Sequence, residues 1–259
     1  MTTTTRRLGS IDELGFSAVL SDLDGVVYRG EVAVPGAVER FNRWQSEGVP
    51  YCFVTNNAEK SAAAFADKLS TLGIACTAEQ VVTSGDVALE FVSGKYAPGA
   101  GLYVIGTQAF KARVAECGFA LVERDAVAVL VALDRSFDYA MMTAALGNIL
   151  GGADLIGTNP DLIRPLADGF EPGAGAITAS IAAASGATPM FMGKPDPTII
   201  HTAMARLGVS AADAIMIGDK LDTDILAGRR AGLTSVFVET GVPIDVRSAV
   251  QPDYLLARL

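Results

Sequence analysis

Two aspartates at alternate positions, Asp22 and Asp24, follow the apolar run at 16–21 and precede Gly25. Alternate residues of an extended segment share a face, so both carboxylates can line one cleft, and glycine permits the tight turn that would follow. One carboxylate can attack phosphorus and form an aspartyl-phosphate, while the other protonates the leaving oxygen and then activates water. The pattern favours phosphoryl transfer, although an acidic turn that binds calcium stays open from these residues alone.

Two further segments could hold a phosphate group. The apolar run at 49–54 ends in Thr55 and Asn56, which offer a hydroxyl and a main-chain N–H, and we predict that a helix begins at Ala58. The N-terminus of such a helix would favour an anion. Lys194, which precedes a proline, could balance the charge of a nucleophile and a phosphate. An ordinary helix cap and a solvated loop lysine are the alternatives to these two predictions.

A third segment is acidic: GDKLDTD at 218–224 follows the apolar run at 214–217. Mg2+ prefers hard oxygen ligands and takes few protein carboxylates beside phosphate and water. We predict that Asp219 is a direct Mg2+ ligand and that Asp224 supports it without contacting the ion. Asp222 could instead complement the dipole of the helix that follows, so its role stays open.

The segments that carry these residues alternate between strand-like and helix-like patterns. The run at 16–21 is followed by apolar residues at helical spacing between 38 and 44, and then by the run at 49–54. This order indicates parallel strands covered by helices, and open parallel sheets bind ligands at the carboxyl ends of their strands. The sequence therefore predicts an α/β fold with a Rossmann-like parallel sheet, and it places the polar motifs on one rim.

The stretch between Asn57 and Lys194 is too long for a single crossover connection, and it contains its own alternation. We predict strands at 102–106 and 127–133 and helices at 108–117, 138–150 and 174–185. A domain inserted into another domain explains this pattern. The predicted boundaries are 1–86 and 189–259 for the core and 87–188 for the inserted domain.

Composition limits the classes of partner. A net charge of −9 without a basic cluster argues against nucleic acid or an anionic membrane, because such surfaces require many lysines and arginines. The single histidine, His201, excludes a multi-histidine zinc site, and its apolar surroundings predict a structural role. Since we find neither a membrane-spanning apolar stretch nor a secretory signal, we expect a cytoplasmic protein.

Four of these segments resemble the motifs of the haloacid dehalogenase (HAD) superfamily in order and spacing. They are DLDGV at 22–26, Thr55, Lys194 and GDKLDTD at 218–224. The resemblance implies that Asp22 is the nucleophile, that its carboxylate and the main-chain carbonyl of Asp24 bind Mg2+, and that Asp219 completes the protein ligands. It also favours a phosphatase over a dehalogenase, because dehalogenases lack the second aspartate.

Shorter stretches are similar to the NagD subfamily of that superfamily. They are TNN at 55–57, LDR at 133–135, TNPD at 158–161, PGAGA at 172–176, GKP at 193–195 and TDILAG at 223–228. Only 32 residues separate Asp22 from Thr55, so the insertion corresponds to a cap domain of the C2 class. Lys220 departs from the asparagine or arginine that some relatives carry.

The resemblance implies a Mg2+-dependent phosphatase that hydrolyses small phosphate monoesters such as nucleotide, sugar, glycerol or aryl phosphates. Three alternatives stay open: a phosphomutase of the same fold, a phospho-acceptor signalling module, and a ligand-binding protein that has lost catalysis. The expected partner is a small-molecule phosphate ester. The apolar inserted segment could bury its surface internally or form a homodimer, and of these two alternatives we favour the homodimer.

Overall fold

The computed structural model describes residues 5–166, 169–244 and 248–259. Its strands are β1 (Arg6–Leu8), β2 (Ala18–Ser21), β3 (Tyr28–Arg29), β4 (Val32–Ala33), β5 (Tyr51–Thr55), β6 (Val81–Thr83), β7 (Gly101–Ile105), β8 (Ala120–Leu121), β9 (Ala128–Val131), β10 (Asp154–Gly157), β11 (Ile163–Leu166), β12 (Gly169–Pro172), β13 (Met190–Phe191), β14 (Ala214–Gly218), β15 (Thr234–Val238) and β16 (Tyr254–Leu256).

The helices cover both units of the chain. They are α1 (Ala37–Glu47), α2 (Ala62–Thr71), α3 (Ser84–Lys95), α4 (Gln108–Glu116), α5 (Tyr139–Leu150), α6 (Ala174–Ser185), α7 (Thr198–Leu207) and α8 (Leu226–Arg230), and a π-helical turn at Leu221–Ile225 leads into α8. Over the described ranges, none of these helices combines the length and the apolar character that crossing a membrane would require.

The chain divides into two compact units. The first comprises the described residues of Met1–Thr55, Ala62–Val82 and Lys194–Leu259, and the second comprises Asn56–Ser61 and Thr83–Gly193. The predicted α/β class with a Rossmann-like parallel sheet is confirmed, since the first unit has a seven-stranded sheet in the order β1-β16-β15-β14-β2-β5-β6. The pairs from β1 to β5 in this order are parallel.

The centre of the first sheet consists of β2 and β14, and every residue of both strands is buried. Such continuous apolar runs are typical of parallel strands that are covered on both faces. Beside them, Phe41 of α1 packs on Tyr51 and Phe53 of β5, with ring centroids 5.2 and 4.7 Å apart. Each aromatic pair contributes about 0.5–1.5 kcal/mol beyond its buried area. This packing fixes β5 and therefore the residues at its carboxyl end.

The second unit has a five-stranded sheet in the order β13-β10-β9-β7-β8, and β11 and β12 form an antiparallel hairpin. The strand β9 is buried at all four positions, and α5 and α6 pack against its sheet. Asn148 of α5 is also buried: its Oδ1 accepts from the Ala126 N–H, and its Nδ2 donates to the carbonyls of Glu123 and Ala144. This side chain joins the loop before β9 to the helix.

One local prediction was wrong. The helix predicted to begin at Ala58 begins at Ala62. The side chain of Asn57 accepts the N–H of Glu59 at 2.9 Å, and a local bond of this kind competes with the start of a helix. His201 lies on α7 and is exposed, whereas its neighbours Ile199 and Ile200 are buried, and its structural role stays a prediction.

Candidate active site

Three strands of the first unit end in polar residues that are buried. Asp22 follows β2, and its N–H continues the ladder to β14 by donating to the carbonyl of Ile217 at 2.9 Å. Thr55 is the last residue of β5, and Asp219 follows β14. All three side chains are buried. Because neighbouring parallel strands end at the same edge of a sheet, this edge collects them as the sequence predicts.

Lys194 is the positive charge of this edge, and its side chain is 2% exposed. Its Nζ lies 2.6 Å from Oδ1 of Asp22 and 2.7 Å from Oδ1 of Asp224. It also donates to the main-chain carbonyl of Val54 at 2.9 Å. One ammonium group therefore connects the ends of three chain segments that are distant in sequence.

Asp224 lies in the π-helical turn after β14, and it is 1% exposed. Its Oδ2 accepts the N–H groups of Asp219 and Lys220 at 3.1 and 3.0 Å, in addition to the contact of Oδ1 with Lys194. Hydrogen bonds thus engage Oδ2, and the ion pair with Lys194 engages Oδ1. Asp224 can therefore hold the loop and the lysine in place, as its predicted supporting role requires.

Asp219 has one oxygen in use and one that is open. Its Oδ2 accepts the N–H of Val242 at 2.8 Å, whereas its buried Oδ1 has no hydrogen-bond partner among the residues that the structure describes. A Cβ atom at either Gly25 or Gly241 would collide with this carboxylate. Gly25 also adopts a φ of 82°, which glycine reaches without steric cost. Glycine at these two positions therefore gives Asp219 its space.

Burial and neighbouring charges shift the pKa values of Asp22, Asp219 and Lys194. Burial, together with the charge of Asp224, raises the pKa of Asp22 to about 6, although Lys194 opposes the shift. Burial and the charges of Asp224 and Asp22 raise the pKa of Asp219 to about 8. For Lys194, burial acts to lower the pKa, but the two neighbouring carboxylates outweigh it and raise the pKa above its usual range. The negative charge of these carboxylates therefore exceeds the positive charge that lies close to them.

Asp22, Asp219 and Asp224 can bring one carboxylate oxygen each within 4.8 Å of one another, so they form a group that could hold a metal ion. Hard oxygen donors and an excess of negative charge suit Mg2+. The open Oδ1 of Asp219 is the atom that most clearly requires a cation, because an unpaired buried carboxylate oxygen is costly. The residues present therefore fit the ion that the sequence predicts.

Asp24 lies outside this buried group, because its side chain is exposed. The turn that begins there closes through the Gly25 N–H, which donates to the carbonyl of Tyr28 at 2.8 Å. Lys68 of α2 holds the following hairpin: its Nζ lies 3.8 Å from the centroid of the Tyr28 ring and 2.5 Å from the carbonyl of Gly30. An exposed carboxyl next to a buried one is compatible with the predicted exchange of protons.

Asn56 belongs to the second unit. Its side-chain nitrogen donates to Asp161 at 3.0 Å, and its carbonyl accepts from the side chains of Asn159 and Ser84, both at 2.7 Å. The sequence predicts that the main-chain N–H of Asn56 donates to a phosphate group, and this role stays a prediction. Asp222, whose role the sequence left open, is exposed and accepts a hydrogen bond from Ser248 at 2.8 Å.

Sequence reasoning missed the residues after β15. The side chain of Thr240 donates to the carbonyl of Gly25 at 2.7 Å, and the Val242 N–H holds Asp219. The hydrogen bond from Val242 uses the main chain, so its residue type carries no signal for this role. Gly241, which lies between them, is a sequence signal that could have indicated this contact, since a glycine near a strand often marks a close approach of two segments.

Comparison with known proteins gives the family. A model described as haloacid dehalogenase-like hydrolase matches residues 19–120, and a related HAD-hydrolase-like model matches residues 191–259. The acid sugar phosphatase of Staphylococcus saprophyticus is 36% identical to this chain over 243 residues, which cover 92% of this chain and 93% of that protein. Matches at this identity and coverage span both units.

Solved structures agree with this result. NagD from E. coli K-12 is 31% identical, with a TM-score of 0.85 and coverage of 95% of this chain and 97% of that one. A glycerol phosphate phosphatase from Mycobacterium tuberculosis in complex with calcium is 35% identical, with a TM-score of 0.83 and coverage of 93% of this chain and 72% of that one. The chain therefore belongs to the haloacid dehalogenase-like hydrolases, as an enzyme of their NagD-like phosphatase group.

Proposed function

We propose that this protein is a Mg2+-dependent phosphatase that hydrolyses small phosphate monoesters, with sugar and glycerol phosphates as the leading substrates. The observation that carries the proposal is the buried pairing of Asp22 with Lys194 beside the open Oδ1 of Asp219. Phosphoryl transfer requires three groups at one place: a nucleophile, a charge that balances it, and an oxygen atom that can bind a metal ion.

In the proposed reaction, an oxygen of Asp22 attacks phosphorus, and the bond from phosphorus to the leaving oxygen breaks. Asp24 gives its proton to that oxygen, so the product leaves as an alcohol. Asp24 then takes a proton from water, whose oxygen attacks the aspartyl-phosphate and releases inorganic phosphate and the Asp22 carboxylate. Because the pKa of Asp22 lies at about 6 without a cation, this group is ionised near neutral pH, as a nucleophile must be.

Asp22, Asp219 and the main-chain carbonyl of Asp24 are the groups that we propose to hold Mg2+, with Asp224 in support. When bound, the ion neutralises charge that develops on the phosphoryl oxygens. We assign the hydroxyl of Thr55 and the N–H of Asn56, which follows it in the chain, to donate to those oxygens. Lys194 balances the charge that Asp22 and the phosphoryl group share.

We propose that the second unit is the inserted cap domain and that its side chains select the leaving group. The names of two relatives support a small polyol as the leaving group, since one is an acid sugar phosphatase and another is a glycerol phosphate phosphatase. The calcium in the second of these structures supports a divalent cation as the metal class. Calcium and magnesium share a preference for oxygen ligands.

Release of inorganic phosphate from a panel of sugar, glycerol, nucleotide and aryl phosphates tests the proposal. We expect release with Mg2+, none with EDTA, and a loss of at least ~10^3-fold in the variant Asp22→Asn, because covalent catalysis requires the nucleophile. Asp67→Asn, which changes an exposed aspartate of α2, is the matched control and should keep full activity.

Two outcomes would contradict the proposal. Activity that survives in Asp22→Asn would show that another group attacks phosphorus. Transfer of the phosphoryl group to a second sugar without free phosphate would instead identify a phosphomutase.

A further inference from the structure

The turn at 240–242, which begins two residues after the end of β15, contacts two parts of the candidate site at once. Oγ1 of Thr240 donates to the carbonyl of Gly25 at 2.7 Å, and the N–H of Val242 donates to Oδ2 of Asp219 at 2.8 Å. Between them, Gly241 leaves no room for a Cβ atom against the Asp219 carboxylate. The turn therefore lies against a proposed metal ligand, although none of its side chains is charged.

A second contact holds the same turn. The guanidinium of Arg29, on β3, donates to the carbonyl of Thr240 and, at 3.1 Å, to the carbonyl of Gly241. Arg29 itself is exposed. The turn is thus fastened to the loop after β2 by one side-chain hydroxyl and to the β3 strand by one arginine.

These contacts decide how Asp219 presents its oxygens. The hydrogen bond from the Val242 N–H to Oδ2 favours one rotation of the carboxylate, in which Oδ1 is the oxygen that stays open. Mg2+ demands nearly ideal octahedral geometry and tolerates little displacement of its ligands. Groups that orient a metal ligand typically affect metal affinity 10–100-fold when they are changed.

We propose that Thr240 is a positioning residue for metal binding. Its hydrogen bond to the Gly25 carbonyl holds the 240–242 turn in place, and the Val242 N–H then orients Asp219 so that it binds the ion through Oδ1 alone. Arg29 supports the same turn. This inference rests on the proposed function, in which Asp219 binds Mg2+. Thr240 itself contacts neither the ion nor the substrate in this proposal.

The test is the Mg2+ dissociation constant of the full chain without substrate, measured by isothermal titration calorimetry. Thr240→Val keeps the shape of the side chain and removes the donor, and we expect it to raise the dissociation constant at least ~10-fold. Thr240→Ser keeps the donor and should stay within ~3-fold of the wild type. The control is Thr143→Val, which removes a hydroxyl-to-carbonyl bond of 2.8 Å from α5 and should leave Mg2+ affinity unchanged.

Steady-state kinetics provides a second readout. We expect Thr240→Val to need more Mg2+ for half-maximal rate, while kcat at saturating Mg2+ returns to near the wild-type value. A general loss of structure would lower kcat at every Mg2+ concentration. If Thr240→Val does not fold, Arg29→Gln replaces it, because this exposed residue holds the same turn and should weaken Mg2+ binding in the same direction.

The outcomes separate this inference from the proposed function. Wild-type affinity in both Thr240→Val and Arg29→Gln, with binding abolished in Asp219→Asn, would overturn the role of Thr240 and leave the metal site standing. Equal binding by wild type and Asp219→Asn would overturn both, because Asp219 would then not be a ligand. Loss of affinity in Thr240→Val with rescue in Thr240→Ser is the result that supports the inference.

Discussion

Nζ of Lys194 lies 2.6 Å from Oδ1 of Asp22, and 172 positions of sequence separate the two residues. The ammonium group is buried, and Asp224 is its second carboxylate partner. A buried charge is tolerated when its partners compensate it, and removal of one partner leaves the others without compensation. The stability of the site and its chemistry therefore depend on the same lysine.

Lys194→Met should destabilise the protein by about 3–5 kcal/mol, because two buried carboxylates lose their counter-charge. Lys95→Met is the matched control, since Lys95 forms an ion pair of 2.8 Å with Asp154 but its side chain is 38% exposed. A surface pair of this kind is worth about 1 kcal/mol or less. Urea denaturation of both variants measures the difference, and equal losses would contradict the role of burial.

The stability of the metal-free protein should fall as the pH rises from about 4 to 8 through the contribution of Asp22 and Asp219. Their pKa values in the folded protein, about 6 and about 8, exceed the ordinary 3.8. Both groups therefore bind protons more tightly in the folded state, so their stabilising contribution is complete below pH 3.8 and is lost as the pH rises through the folded values.

Asp219→Asn isolates this effect, because the amide resembles the protonated carboxyl group. The free energy of unfolding in EDTA should shift in favour of this variant as the pH rises from about 4 to 8, at up to about 1.4 kcal/mol per unit of pKa difference. Mg2+ should remove the advantage by stabilising the wild-type carboxylate. The exposed control Asp67→Asn should show no such trend, and a parallel pH course in both variants would refute the explanation.

Gly241→Ala should weaken Mg2+ binding by ~10-fold or more, because the added methyl group would displace the Asp219 carboxylate. Gly15→Ala makes the same change where no atom lies within 4 Å of the new Cβ position. Calorimetric titration with Mg2+ compares the two variants. Unaltered affinity in Gly241→Ala would mean that the turn gives way more easily than the packing around Asp219 suggests.

Asn148→Leu should cost about 2–4 kcal/mol in the second unit, because the Ala126 N–H and two carbonyl groups lose their partner in a buried place. Asn42→Leu serves as the control, since exposed Asn42 makes a single bond to the Gly73 carbonyl at 2.9 Å. Thermal unfolding followed by circular dichroism measures both. A cost for Asn148→Leu no larger than the control would show that water replaces the lost bonds.

Sequence alone predicted the parts of the fold and site that follow from local patterns. Asp22 and Asp219 lie at the ends of short apolar runs, and parallel strands bring the ends of such runs to one edge. The helical spacing between 38 and 44 predicted α1 for the same reason. In each case, neighbouring residues contain the whole signal.

The features that the sequence did not predict depend on contacts between residues, and no local sequence pattern indicates them. The helix start at Ala58 was wrong because a single side chain, Asn57, captures a backbone N–H. The hold on Asp219 comes from the main chain of Val242, which every residue except proline could provide. Likewise, the sequence gives no indication that Asp24 is exposed while Asp22 is buried, because their difference arises from the turn at Gly25.

The position of β2 between β14 and β5 also has a consequence for the order of events during synthesis. Ala18 pairs with Ala214, so one side of β2 has no strand partner until the chain beyond residue 213 has left the ribosome. By then the whole of Thr83–Gly193 has been made, and domains fold as units during translation. The time needed to synthesise Thr83–Gly193 thus sets how long β2 keeps one edge unpaired in the nascent chain.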